Sequence, residues 1–492
     1  MLRELSVLGD PAKTSGIRPA TVGEGLAVVS VVLLLPIALY AVHLAAIERL
    51  LYPASNLALA MYLFTRRSAW YTGQIVLIFC FVSLVRRLVD AQMGFDAQSP
   101  VLLTPYLCGA LAGIEFLNYW LRPQPRNIGP YLIILLAVAY GAMLAIGGGR
   151  ILAALTDTLK WSLGPIFAVY ILSQGTGQAL TRKVVESCLV WAGVVMAIYG
   201  ICQFIQPTPW DAQWASSVIE TGMTSLGVPV PFGMRTFSTM NSPGSFGAMM
   251  CCGILIVLKR RMSLAVPAAS LMAIGLAIAQ YRAVWAATVV GIALIAVSRP
   301  GAFRPSNIVA AGVLVLALCS TALVPGIHDA LTQRAASLNS ISTDDSFEDR
   351  LAQYEKLSTD DQLIAGIGLG LSGSARKMDD LPRLVIDGGL IEILRSIGLV
   401  VGTAYLGALW ILIVRSFRRE PSVSRDVDFD RALVVATFIQ LPMGSVQVGE
   451  IGFCAWMYTG FALATLTAAR YPPRAAACDS SRHIGLTAGT AR

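Results

Sequence analysis

The chain has 492 residues, of which 55% are hydrophobic and only 13% charged, with a formal net charge of +8. Soluble domains carry about a quarter charged residues. Here the apolar residues fall instead in runs near the ~20 needed to cross a bilayer, punctuated by Arg and Lys. This excludes a soluble enzyme, a secreted disulfide scaffold and a disordered chain, and leaves an all-α, polytopic membrane protein.

The first element is a polar tail, residues 1–23, bearing Arg3, Lys13 and Arg18. No small-residue cleavage site follows the first apolar run, so that run reads as a retained helix rather than a signal peptide. Hydropathy then predicts spans at about 24–41, 46–64, 68–85, 101–120, 129–147, 153–173, 185–205, 238–258, 264–280, 283–298 and 307–324, and, after a long loop, at 386–414, 432–447 and 451–469. The chain thus divides into a tail 1–23, eleven helices over 24–324, a large outer loop 325–385, three helices over 386–469 and a tail 470–492. Fourteen crossings that start inside return both termini to the cytoplasm. Of 37 Lys and Arg, 23 fall on the segments this assigns to the inside, among them Arg66, Arg122, Lys183, Lys259 and Arg415, as the positive-inside rule requires.

Two outward segments are long. Residues 206–237 hold Trp210 and Trp214, side chains suited to stacking on a sugar chain. Residues 325–385 hold ten acids and six bases. Within them Ser346-Phe-Glu-Asp349 offers a cap, and Phe347, Leu351, Tyr354 and Leu357 recur at helical spacing, which predicts a short amphipathic helix. Gly366-Ile-Gly-Leu-Gly370 then reads as a loop, its spacing wrong for a dinucleotide fingerprint.

The basic residues form no stripe with interleaved aromatics, so nucleic acid is not an expected partner. Eight cysteines lie in apolar runs, where core packing is expected of them, and Cys478 lies in the tail. The three histidines are scattered, no acidic or Cys/His spacing suits a metal, and no nucleotide motif is present, so neither metal nor cofactor is expected.

The informative anomaly is arginine at or near the outer face: Arg86, Arg87, Arg235, Arg282, Arg350, Arg376, Arg383 and Arg395. A guanidinium at membrane depth costs a few kcal/mol, on the order of 3, and needs a partner or a function. Taken singly, each can snorkel or pair with acids such as Asp90, Asp387 or Glu392. Taken as a set on one leaflet, they suit an anionic ligand, because the planar fork donates bidentate hydrogen bonds to phosphate. Arg235 and small polar residues, with Asn241 and Pro243, open the eighth span, either as an anion site or as a helix cap. Asp387 and Glu392 enter the twelfth span beside Arg383 and Arg395. Asp387 reads either as a carboxylate able to take a proton from a hydroxyl nucleophile or as an N-cap, and Glu392 and Arg395 also read as a structural pair.

Arg-x-Phe-x-x-x-Asn-x-Pro at 235–243, Tyr-Arg-Ala at 281–283, a long outer loop with Arg350, Gly366-Ile-Gly-Leu-Gly370 and Ile386-Asp-Gly-Gly-Leu-Ile-Glu-Ile-Leu394 stand in an order that resembles the O-antigen ligase/polymerase superfamily of bacterial envelopes, including Wzy-type polymerases. The resemblance covers about residues 230–400; before that only topology agrees. It implies a GT-C-like transmembrane bundle of about 14 helices with one long periplasmic loop, both termini in the cytoplasm and the active site on the periplasmic side of the inner membrane. It implies a metal-independent polysaccharide polymerase using undecaprenyl-diphosphate-linked oligosaccharide as donor and acceptor, with a chain-length regulator and export proteins as partners. Arg235, Arg282 and Arg350 would hold the diphosphate, Asp387 or else Glu392 would be the base, and Arg86, Arg87, Arg376, Arg383, Arg395 and Asn241 would contact substrate. Ligases of the family carry a histidine where this chain has Asp387, which favours polymerase over a lipid A–core ligase. A lipid-linked oligosaccharide flippase is the rival from another class, and a non-catalytic export scaffold a third.

Overall fold

In lipid every backbone N–H and C=O must be satisfied within the chain, so long apolar runs become helices. The computed structural model describes residues 16–122, 127–220, 226–259, 265–298, 352, 354–355, 362–370, 388–418 and 426–470, and over them the protein is helical with no sheet. In chain order the helices are α1 Val22–Ala41, α2 Ala45–Thr65, α3 Trp70–Met93, α4 Pro100–Trp120, α5 Gly129–Gly147, α6 Ile151–Ser173, α7 Gln178–Ile205, α8 Pro209–Glu220, α9 Pro243–Val257, α10 Ala265–Ile278, α11 Arg282–Ser298, α12 Gly389–Ile397, α13 Leu399–Ser416, α14 Asp426–Phe438 and α15 Gly449–Arg470. Caps mark their starts: Thr21 and Glu24 form a capping box on α1, and Ser242 caps α9 with Pro243 in its first turn.

Seven of these helices are long and apolar enough to cross a membrane, and α9, α10 and α11 are shorter apolar helices. The protein is a membrane-embedded helical bundle. Its outer surface agrees: Leu50, Leu136, Leu152, Val289, Val297 and Trp410 are each at least 66% exposed, a surface suited to lipid and costly in water. In α3, by contrast, 94% of the most apolar window is buried, against 22% in α1, so α3 runs through the interior. α15 is the other central helix and packs tightly on α6. Gly164 of α6 lies flat against the Trp456 ring, and Gly460 of α15 backs onto Ala168, where an added Cβ would lie 2.7 Å from a carbonyl oxygen.

Three expectations need correction. The twelfth span is not one helix: Gly398, at φ +79°, separates α12 from α13. The thirteenth ends early, because α14 stops at Phe438 and residues 439–448 form a chain of turns. Core packing does not hold for every cysteine, since Cys202 is exposed on α7 while the other six described cysteines are buried. The 307–324 span and the amphipathic helix around Phe347 lie outside the described residues, apart from positions such as Tyr354.

Helix direction sorts the ends of the bundle. One end gathers the start of α7, the end of α9, the start of α14 and the end of α15. It is tied by Arg182–Asp430 (2.7 Å), Lys259–Glu186 (2.6 Å) and Lys259–Asp426 (2.7 Å), with Arg182 also donating to Thr465. The opposite end gathers the end of α7, α8, the start of α9, the α10–α11 turn, the α14–α15 turns and the start of α15.

Candidate functional site

That opposite end collects the motifs singled out in the sequence. Residues 226–242 form an irregular strap between α8 and α9 whose shape is imposed from below. Gln203 of α7 accepts from Phe237 N (3.1 Å) and Ser238 N (2.8 Å) through Oε1. Arg87 Nη2 donates to Ser238 O at 2.5 Å, Thr239 donates to Cys80 O at 2.6 Å, and Thr236 N donates to Ile278 O at 3.3 Å. These bonds hold Ser238 at φ +53°, a left-handed conformation that a non-glycine residue adopts at a cost of about 1–2 kcal/mol. The strap presents Arg235 and Asn241, both half-buried, and the Asn241 Oδ1 is enclosed without a hydrogen-bond partner.

The α10–α11 turn abuts the strap. Gln280 takes φ +52°, and the Tyr281 ring lies against Gly244, with 3.5 Å from its atoms to where a Cβ would stand. Tyr281 then donates to Met443 O at 3.2 Å, so the half-buried Arg282 starts α11 beside the 439–448 turns. Those turns carry the third motif. Leu390 N donates to Leu441 O at 3.1 Å, Gly388 lies on Pro442 O, and the Gln447 Oε1 occupies the space where a Gly389 side chain would be. Gln447 Nε2 donates to Glu392 Oε2 at 2.8 Å, and Trp456 Nε1 holds Gln447 O at 3.2 Å. Glu392 is buried and Arg395 half-buried one turn along α12. Tyr354 of the long loop donates to Pro442 O at 3.4 Å.

Arg235, Asn241, Arg282, Glu392 and Arg395 are therefore carried on segments that touch one another at one end of the bundle. Arg86 and Arg87 are placed differently. Arg87 has no exposed surface and pairs with Asp211 of α8 at 3.2 Å, over the rings of Phe237 (4.7 Å) and Trp214 (5.6 Å). Asp211 Oδ2 accepts from Tyr199 (2.7 Å) and Gln203 (2.8 Å). Arg86 pairs with Asp90 at 2.9 Å and donates to Asp96 O at 2.6 Å. Both guanidinium groups are thus engaged inside the protein, Arg87 anchoring α8 and the strap and Arg86 holding the loop after α3 at Asp96. Trp214 is buried beneath them and offers no stacking face. Arg350, Arg376, Arg383 and Asp387 lie outside the described residues.

Two features escaped the sequence. Hydropathy places residues 439–447 at the end of the thirteenth span, where the structure has turns, and no residue pattern marks Gln447 as the partner of Glu392. Gly366-Ile-Gly-Leu-Gly370 is a segment threaded among helices, half-buried at Gly366 and Ile367 and buried from Gly368 to Gly370. Ile367 N and Gly368 N donate to Arg395 O and Ser396 O, both at 2.9 Å, Leu369 N to Gly141 O at 3.0 Å, and Gly370 N to Asp157 Oδ2 at 2.9 Å. Arg150 Nη2 clasps Ile367 O at 2.5 Å. Gly366, Gly368 and Gly370 lie at φ +83° to +85°, and each faces a different wall: Gly398, Ala145 and Ala153. Alternate left-handed glycines let the backbone lie flat against all three.

Comparison with known protein families, with characterised proteins and with solved structures returns no match.

Proposed function

We propose that the protein is a polysaccharide polymerase of the O-antigen ligase/polymerase superfamily, a GT-C-like bundle of about 14 spans that joins undecaprenyl-diphosphate-linked repeat units. In this reading the end of the bundle carrying Arg235 faces the periplasm and both termini are cytoplasmic. The reading rests on one observation above the others: the strap bearing Arg235 and Asn241, the turn bearing Arg282 and the helix bearing Glu392 and Arg395 are joined through Tyr281 and the 439–448 turns.

Arg235 and Arg282, with Arg350 from the long loop, neutralise the diphosphate as it leaves, donating charge-assisted hydrogen bonds to its oxygens. Asp387, or else Glu392, accepts the proton of the attacking sugar hydroxyl. The hydroxyl oxygen displaces the lipid diphosphate from the anomeric carbon in one step, with inversion. The bond to diphosphate supplies the driving force, so no nucleotide is consumed.

The test is the protein in lipid nanodiscs with undecaprenyl-diphosphate-linked repeat units, chelator and no nucleotide, read on a glycan gel. A ladder of multiples is the expected result. Unchanged substrate from folded protein overturns it. Lipid A–core offered as acceptor then tests the ligase, and movement of a labelled lipid-linked oligosaccharide between leaflets tests the flippase.

A further inference from the structure

On one face of α2, Glu48, Tyr52 and Asn56 recur one turn apart, and all three are without exposed surface. Asn56 is satisfied: its Nδ2 donates to Tyr52 O at 3.0 Å, and its Oδ1 accepts from Gln74 Nε2 of α3 at 3.3 Å. The two groups above it are not. Both Glu48 carboxyl oxygens and the Tyr52 hydroxyl are buried with no hydrogen-bond partner. Gln74 Oε1 is likewise unpartnered, as is the hydroxyl of Ser99, which precedes the first turn of α4, a turn that packs on α2.

The neighbouring base does not answer this charge. Arg49 follows Glu48 in sequence but turns away to Asp96 at 2.6 Å, where both side chains are about a third exposed. Around Glu48 the backbone is pinned: Ala45 N donates to Gln92 Oε1 at 3.3 Å, and Gln92 Nε2 donates to Tyr40 O at 2.8 Å. A carboxylate removed from water without a counter-charge costs several kcal/mol. A trapped water would satisfy the hydroxyl of Tyr52 yet leave the charge unbalanced.

We propose that Glu48, with Tyr52 beside it, is a binding site for one small monovalent cation, a proton or a sodium ion. The donors on offer are hard oxygens, which suit either. A divalent ion needs more carboxylates, and among the described residues no three His, Cys, Asp or Glu side chains converge. The site lies on the face of α2 that packs against α3 and the first turns of α4, apart from Arg235, Arg282 and Glu392, and it stands whether or not the transfer chemistry proposed above is right.

Two measurements on the full chain in nanodiscs test it. The first is modification by a hydrophobic carbodiimide, which attacks protonated carboxyls in apolar surroundings, with the adduct located by peptide mass spectrometry and no variant needed. An adduct on Glu48 is expected in choline buffer at mildly acidic pH. Sodium at fixed pH slows it roughly tenfold if the ion is sodium; if it is a proton, only raising the pH does so, by roughly tenfold per unit. The second is thermal unfolding of wild type against E48Q, a neutral isostere that needs no cation. Wild type gains stability from sodium or from acidification that E48Q does not. If neither reagent changes the labelling of Glu48 and the two proteins melt with the same sodium and pH dependence, the site does not exist.

Discussion

Gln447 Nε2 donates to Glu392 Oε2 at 2.8 Å, joining a turn after α14 to the first turns of α12 across 55 residues of sequence. Gly389 makes the contact possible, because its missing side chain leaves the space that the Gln447 amide fills. Replacing Gln447 with Leu removes an amide donor from a buried carboxylate, a loss on the order of 1–3 kcal/mol. Q447L is expected to melt earlier than wild type and to make markedly less polymer, read by thermal unfolding and the glycan gel on the same preparation. An unchanged product ladder would detach Glu392 from the mechanism.

Arg87 and Asp211 form a pair with no exposed surface on either side chain. Removing one partner leaves the other charge buried, so R87A or D211A should each destabilise by about 3–5 kcal/mol. The double variant R87M/D211L should recover a large part of that loss. Tryptophan fluorescence during denaturation checks this directly, since Trp214 lies over the Arg87 guanidinium.

Arg235 and Arg282 should behave in the opposite way. Both are half-buried at the surface of the site. R235A and R282A are expected to leave expression and melting within about 1 kcal/mol of wild type while abolishing polymer. Normal chain lengths from R235A would remove it from the proposed diphosphate site.

Gly368 tests the threaded segment. At φ +85°, with an added Cβ only 2.6 Å from Ala145 N, it has no room for alanine. G368A should cost more than about 1–2 kcal/mol from the left-handed conformation alone. Limited proteolysis of the loop in wild type and variant reads whether 362–370 has come away from α5 and α6.

Much was legible in the sequence because lipid imposes simple demands. Runs near bilayer length, broken by Gly, Pro and Arg, locate most helices to within a few residues, as with the predicted 129–147 and the observed Gly129–Gly147. The order of helices also carries the arginine-bearing motifs to one end of the bundle, since alternate loops of an up-and-down chain share a side. The break at Gly398 was not legible, because a glycine inside an apolar run reads as small-residue packing as readily as a left-handed turn. Nor was the early end of α14, since Leu441, Met443 and Val446 keep the run apolar while forming turns.

What the sequence determined by itself was therefore class, helix placement and the presence of surplus arginine and carboxylate. What only the tertiary structure decided was which charges meet. Arg87 and Arg235 look alike in sequence, yet one is enclosed with Asp211 and Ser238 as an anchor, and the other stands on the strap that the anchor shapes. Glu48 and Glu392 likewise differ only in their neighbours: one has no donor and the other has Gln447. The reason is physical. Hydropathy is additive along the chain, so it can be read locally, whereas the solvation and pairing of a charge depend on groups tens or hundreds of residues away, brought near only by folding.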